Sequence, residues 1–382
     1  MKILTNSEKK ELAPLMAEAV EYRKSGLSLN HILGCPLDCA YCIRHIYSNY
    51  GMKKPQALMS DEEAVTELCS HQYFQPHRTP LQLFNRATDP FLPSVKPHTF
   101  RVLELLAQKG LTNTVLIITR WKVTQEDAEL LNTFKPLRVV LLTTYSGIDS
   151  TRLEPVDSGI AAESLRTAYS QARNYRVLLY WRPLVPGVDD SDKHVEAAAA
   201  LSKFAHATVF TGLFFRKEMR EYFEFYKIPN PFADVARRKI LPSELERSVL
   251  ERFTRFGGKS IFRKTSCGVS FAYSLADYNG HYGIRELCDI CPASQVARCR
   301  NSWQRPSDSD VLKFAEKIGV NGSFSVNERA VEYHGLSEQH RYFIQHALQF
   351  QVHDARHPHL LNQHGRAGPS VASEISLGNE NE

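Results

Sequence analysis

The 382-residue chain has no apolar run long enough to cross a membrane, and its opening segment, MKILTNSEKKELAPL, lacks the apolar core of a signal peptide. It is therefore expected to be cytoplasmic, with no membrane partner. No internal repeat is visible, so a solenoid of stacked repeats is not expected. Neither sign of charge dominates: 47 Lys and Arg stand against 42 Asp and Glu, a net of +5. That balance is compatible with a nucleic-acid partner but does not demand one. In a reducing compartment the eight cysteines are not expected to form disulfides.

What the chain does have is unevenly placed cysteines. Cys35, Cys39 and Cys42 lie together, Cys267, Cys288, Cys291 and Cys299 form a second group, and Cys69 stands alone in an amphipathic pattern, as a small core residue would. Clustered thiols that are not oxidised point to metal ligation.

Between the two groups, short apolar runs alternate with helical patterns. The runs are SLNHILG (28–34), LQLFNRA (81–87), TVLIITR (114–120), RVVLLTTYS (138–146), YRVLLYWRPL (175–184) and ATVFTGLFF (207–215). Runs of this kind suit strands buried on both faces. The intervening segments carry helix signals: Ser60 with Glu63 as a capping box, Gly110 as a stop, and Thr124 as a cap before Glu126 and Asp127. Further helical patterns cover 161–173 and 191–204. Six strand–helix units predict a parallel sheet, a partial TIM-like (βα)6 barrel, with functional groups at the C-terminal strand ends. An open doubly wound sheet fits the same pattern.

The expected organisation is an N-terminal extension (1–27), the partial barrel (28–215), an extension with the second cysteine group (216–305), a helical segment (306–365) and a disordered tail (366–382). Residues 216–265 and 306–351 read as helices and 266–302 as a cysteine-bearing loop region. Basic stretches after 215 fit either a phosphate-contacting surface or a solvated helix face.

The segment Gly34-Cys35-Pro36-Leu37-Asp38-Cys39-Ala40-Tyr41-Cys42 follows the first predicted strand with spacing C-x3-C-x2-C. Three thiolates on a four-iron cluster leave one iron open to substrate, whereas an electron-transfer cluster normally has four cysteines. A zinc knuckle, or three unrelated buried cysteines, would also fit the bare spacing. With Tyr41 before the third cysteine, the segment resembles the signature of the radical S-adenosylmethionine superfamily. The resemblance implies a [4Fe-4S] cluster that chelates S-adenosylmethionine and, on one-electron reduction, cleaves it to a 5′-deoxyadenosyl radical. It also implies a one-electron reductant such as flavodoxin or ferredoxin. Cofactor contacts are then expected from Tyr41, from Thr88 and Asp89 (amino group), Ser146 (ribose) and Arg182 (carboxylate), with Glu154 a weaker candidate.

The series ATDP, LTTYS, RLEP and RPLVPG resembles the spore photoproduct lyase-like branch over residues 28–215. That branch places a hydrogen-donating cysteine where this chain has Ala87, which argues against repair of the spore thymine dimer by that route. Tyr145, or a thiol of the second group, is the candidate hydrogen-atom donor instead. The second group, with its C-x2-C-P core, is expected to hold a second iron–sulfur cluster or zinc. Tyr273, Tyr278, Asn279, His281 and Tyr282 lie near it in sequence, and the late histidines, such as His346 and His353, read as core or surface residues. The substrate is expected to be a small molecule or peptide. Nucleic acid is the alternative, and a non-catalytic metal-binding protein the third reading.

Overall fold

The computed structural model describes residues 1–188, 190–232 and 241–356. The tail expected to be disordered (366–382), and the end of the segment before it (357–365), lie outside the described residues. Among the described residues no helix is long and apolar enough to cross a membrane.

Six parallel strands form the centre of an eight-stranded sheet: β1 (Gly26–Leu29), β2 (Leu81–Leu83), β3 (Thr114–Thr119), β4 (Arg138–Tyr145), β5 (Arg176–Leu184) and β6 (Ala207–Gly212). Each pairs with the next in parallel register. The sheet order follows the chain order, as in a singly wound barrel and unlike a doubly wound sheet, whose order reverses at a switch point. An antiparallel strand, Val20–Arg23, covers the β1 edge, and the short Ile261–Phe262 extends the β6 edge in parallel. Helices α1 (Asp61–Ser70), α2 (Lys96–Gln108), α3 (Gln125–Leu131), α4 (Ser158–Gln171) and α5 (Asp192–Leu201) fill the connections. The capping boxes at Ser60 and Thr124 are formed, the latter closed by Asp127. This is the partial (βα)6 barrel read from the pattern.

The strand side chains divide by alternation. Val115, Ile117, Val139, Leu141, Val177 and Leu179 join the core under the helices. Leu116, Val140, Leu142, Leu178, Tyr180 and Val209 form a separate cluster on the other face, with Val269 and Phe262. That inner face is covered by the helix Thr265–Ala272, which packs on β5 and β6. Its Thr265 hydroxyl lies 3.2 Å from the Tyr180 hydroxyl, while the Tyr273 hydroxyl donates to the carbonyl of Val139 near the start of β4. The helix therefore runs down the open barrel as a plug. A Cβ at Gly268 would stand 2.6 Å from a methyl of Val209, so the close approach requires glycine.

Four expectations are corrected. The predicted strand 28–34 is two elements, β1 and a separate Ile32–Leu33 that pairs with Gln56–Ala57. The run 81–87 stops at Leu83, because Phe84 takes a left-handed φ of 56° that an extended strand cannot continue. The cysteine region is not loop-rich: it contains Thr265–Ala272, Arg285–Cys288 and Ala293–Ser302 as helices. In the same way 306–351 mixes helices with strands Phe324–Val326, Ala330–Tyr333 and Gln351–Asp354.

Candidate functional site

The first cysteine loop leaves Ile32–Leu33 through Gly34, whose φ of +100° favours glycine and where a Cβ would stand 2.4 Å from the Lys54 carbonyl oxygen. Backbone bonds fasten the loop on several sides. Gly34 N–H donates to Ala87 O (3.2 Å), Cys35 N–H to Met52 O (2.8 Å) and Ala40 N–H to Leu153 O (3.1 Å). Cys42 N–H turns back to Cys39 O at 3.1 Å. The buried Arg44 guanidinium donates to the carbonyls of Leu37, Asn49, Tyr50 and Met52, so one side chain gathers the whole loop. All three thiols are free.

The loop opens on a cavity of about 450 Å³ lined by Cys35, Cys39, Cys42, Tyr41, Thr88, Asp89, Ile118, Arg120, Thr144 and Arg182 among others. Apart from the loop's own residues, these come from the C-terminal strand ends, where the alternation directs even-numbered residues of β4 and β5 inward. Of the residues expected at the cluster and cofactor, Cys35, Cys39, Cys42, Tyr41, Thr88, Asp89 and Arg182 thus meet at one cavity. Tyr145 and Ser146 are not in its lining. Tyr145 has the parity of the helix-facing side chains and joins their core. The Ser146 hydroxyl accepts from Ile148 N–H and lies 3.3 Å from the Ser158 hydroxyl at the start of α4.

Asp89 is buried. Its carboxylate accepts from Thr119 Oγ1 (2.6 Å), Arg120 N–H (2.9 Å) and Phe91 N–H (2.9 Å), bridging the β2 and β3 ends. Burial raises its pKa against the pull of those donors. The Tyr41 hydroxyl donates to Glu154, and Arg120 bonds both of them. Glu154 also accepts from Val156 N–H and lies 3.9 Å from Cys39 Sγ. Burial raises the Cys39 thiol, while the Arg120 cation opposes that rise. Arg44, bonded to the loop's carbonyls, and Arg120, bonded to the Glu154 that lies beside Cys39, bring positive charge to this loop, and sequence reading missed both. Arg120 had a weak signal, as the one charge ending an otherwise apolar strand pattern.

At its far end the cavity is lined by Glu21, Arg23, Arg86, Glu338, Gln339 and Tyr342. Arg86 is buried and pairs with Glu21 at 2.8 Å, and Arg23 donates to the Tyr47 hydroxyl. The first turn of the helix Glu338–Leu348 thus forms part of the wall.

Of the other five cysteines, Cys267, Cys288, Cys291 and Cys299 lie within electrostatic reach of one another. Cys267 lies on the plug helix, Cys288 ends Arg285–Cys288, Cys291 N–H turns back to Cys288 O (3.0 Å), and Cys299 lies on Ala293–Ser302. Burial raises the Cys267, Cys288 and Cys291 thiols, and repulsion from neighbouring thiols and Asp277 adds to it. His281 is buried, with Nδ1 at 2.9 Å from Asp277 Oδ2 and 3.9 Å from Cys267 Sγ. Asp277 N–H and Gln295 Nε2 each donate to Cys299 Sγ at 3.4 Å. Tyr278 and Asn279 face the barrel, bonding the carbonyls of Ser25 and Lys24, and His346 is a buried core histidine.

No protein-family model matches the chain, and no curated protein matches it. Solved structures do. A spore photoproduct lyase single mutant aligns with TM-score 0.50 and 11% identity, over 65% of this chain and 80% of that one. A double mutant of the same lyase, with bound AdoMet and dinucleoside spore photoproduct, aligns with TM-score 0.50 and 10% identity over the same shares. At these identities the likeness establishes a shared fold.

Proposed function

We propose that this chain is a radical S-adenosylmethionine enzyme. The observation that carries the reading is the meeting of three free thiols, on one fastened loop, with a cavity at the C-terminal ends of parallel strands. It is supported by the shared fold with a lyase whose solved structure has bound AdoMet. The donor set fits a three-thiolate cluster with cofactor beside it. Thr88 Oγ1 is buried at the cavity without a hydrogen-bond partner, and a ligand donor would relieve that cost. When bound, the [4Fe-4S] cluster and cofactor supply one-electron reductive cleavage of a carbon–sulfur bond, fed by a reductant such as flavodoxin or ferredoxin.

The chain's own residues bind and orient. Cys35, Cys39 and Cys42 ligate, and the Arg44 and Arg120 cations offset the charge that thiolates bring. Arg182, which donates to the Tyr180 hydroxyl at 3.0 Å, is placed to take a carboxylate. Asp89 keeps lone pairs for an ammonium beyond the donors it already has. Tyr41, tied to Glu154 and Arg120, holds the loop's aromatic ring at the cavity wall.

A small molecule or peptide is the favoured substrate class, because the helix Glu338–Leu348 contributes to the wall and narrows what the cavity admits. Nucleic acid is the second reading, favoured by the dinucleoside photoproduct in the neighbouring lyase structure and by Arg23, Lys24 and Arg86 along the cavity. Steep salt dependence of DNA binding would select it. The primary test is anaerobic incubation with S-adenosylmethionine and dithionite, followed by quantification of 5′-deoxyadenosine. Product from the wild type and none from a Cys35→Ala, Cys39→Ala, Cys42→Ala variant is expected. No product from an iron-replete wild type would reject the reading.

A further inference from the structure

We infer that the C-terminal region holds a second iron–sulfur cluster on Cys267, Cys288, Cys291 and Cys299, with the buried cation of Arg329 set beside it as counter-charge. The argument begins with Arg329. It is 1% exposed, and none of its three guanidinium nitrogens has a hydrogen-bond partner among the described residues. Its guanidinium carbon lies 5.1 Å from the Tyr282 ring centre and 5.3 Å from that of Trp303. The ionisable groups that act on it are Cys288, Tyr282, Asp277 and Cys299, of which Asp277 is the carboxylate. A buried guanidinium without donors satisfied is among the costlier arrangements a fold can keep. An anionic metal–thiolate centre supplies both charge and sulfur acceptors at that point. Two further buried atoms of the same pocket, Asp277 Oδ1 and His281 Nε2, are also without partners.

Spacing separates a cluster from a single ion. Among the described residues, the one group of three ligand-bearing side chains whose atoms all lie within 4.8 Å of one another is Cys267, Asp277 and His281. No three of the four thiols are that close. A tetrahedral four-thiolate zinc site, with bonds of about 2.3 Å, needs sulfurs about 3.8 Å apart. Four thiolates on separate irons of a cubane stand wider than that, a spacing that thiols not gathered within 4.8 Å can meet. Full ligation by four cysteines makes this centre closed, in contrast to the three-thiol site. Since Cys267 lies on the plug helix and Thr265, two residues earlier, lines the main cavity, the second centre ties the C-terminal region into the barrel.

The test uses full-length protein purified without oxygen. In the Cys35→Ala, Cys39→Ala, Cys42→Ala variant, about four irons and four sulfides per chain should remain, with an electron paramagnetic resonance signal on reduction. Adding Cys288→Ala and Cys291→Ala should abolish them. One zinc and no iron in the triple variant would overturn the cluster, and neither metal would overturn the site. Should the triple substitution leave the wild-type iron content unchanged, the three-thiol reading fails, while the added pair still decides this one. Arg329→Leu should shift the remaining centre's midpoint potential to more negative values, because a nearby cation stabilises the added electron, and Arg329→Lys should retain most of the wild-type value. An unchanged potential in Arg329→Leu would overturn the counter-charge role.

Discussion

His346 Nδ1 lies 2.9 Å from the Tyr22 hydroxyl, joining the C-terminal helix to the antiparallel strand at the edge of the barrel sheet. Its Nε2 faces the Lys24 carbonyl (3.1 Å) and Asn279 Oδ1 (2.5 Å). Contacts made 67 and more residues apart in the chain thus converge on one imidazole.

That imidazole sets a pH dependence. Burial lowers its pKa from 6.5 to about 3; more distant Asp277 opposes the shift, while His281 and Arg341 favour it. The folded state keeps it neutral, whereas the unfolded chain takes up a proton below 6.5. Its contribution is complete above pH 6.5 and is lost as pH falls, at up to about 1.4 kcal/mol per unit until the folded pKa is reached. Urea unfolding between pH 8 and 5 should show this slope, and His346→Gln should flatten it. Equal slopes in both proteins would show that the histidine is not responsible.

The Arg120–Glu154 pair is a buried ion pair, with Arg120 the more exposed partner. Removing the cation in Arg120→Met leaves the Glu154 carboxylate and the Tyr41 hydroxyl in a dry pocket, at a cost of about 3–5 kcal/mol. Replacing Glu154 with Gln at the same time should recover much of it. Denaturant titration of the two single variants and the double variant measures the coupling, and additive losses would mean that the pair does not interact.

The plug helix makes Gly268 sensitive to size. Gly268→Val must push against Val209 and Leu178 and should destabilise by about 1–3 kcal/mol, seen as a lowered denaturation midpoint. A neutral substitution would mean that the helix does not sit in the barrel as described.

Within the cavity, Arg182→Met should weaken S-adenosylmethionine binding at least tenfold, about 1.4 kcal/mol, by removing a charged donor. Tyr145→Phe, on the helix-facing side, should bind within twofold of wild type. Calorimetry on reconstituted protein compares them, and the reverse ranking would refute this assignment of the two side chains.

How much of this was legible depended on whether the signal was local. The strands from Thr114 to Gly212 show as dense apolar runs because both faces are buried, and capping boxes show because their partners are three residues apart. Phe84 could not be foreseen leaving the sheet, since its left-handed backbone follows from packing rather than residue type. Arg120 and Glu154 meet across 34 residues, and Arg44 binds carbonyls whose residues carry no pattern.

By itself, the sequence determined the six-fold strand–helix order and the two thiol groups, because periodicity and cysteine spacing are properties of neighbouring residues. Only the tertiary structure decided that Thr265–Ala272 fills the barrel and that Arg329, 30 and 41 residues after Cys299 and Cys288, is buried against the Tyr282 and Trp303 rings. Burial of a charge is settled by what packs round it, and no local pattern records that.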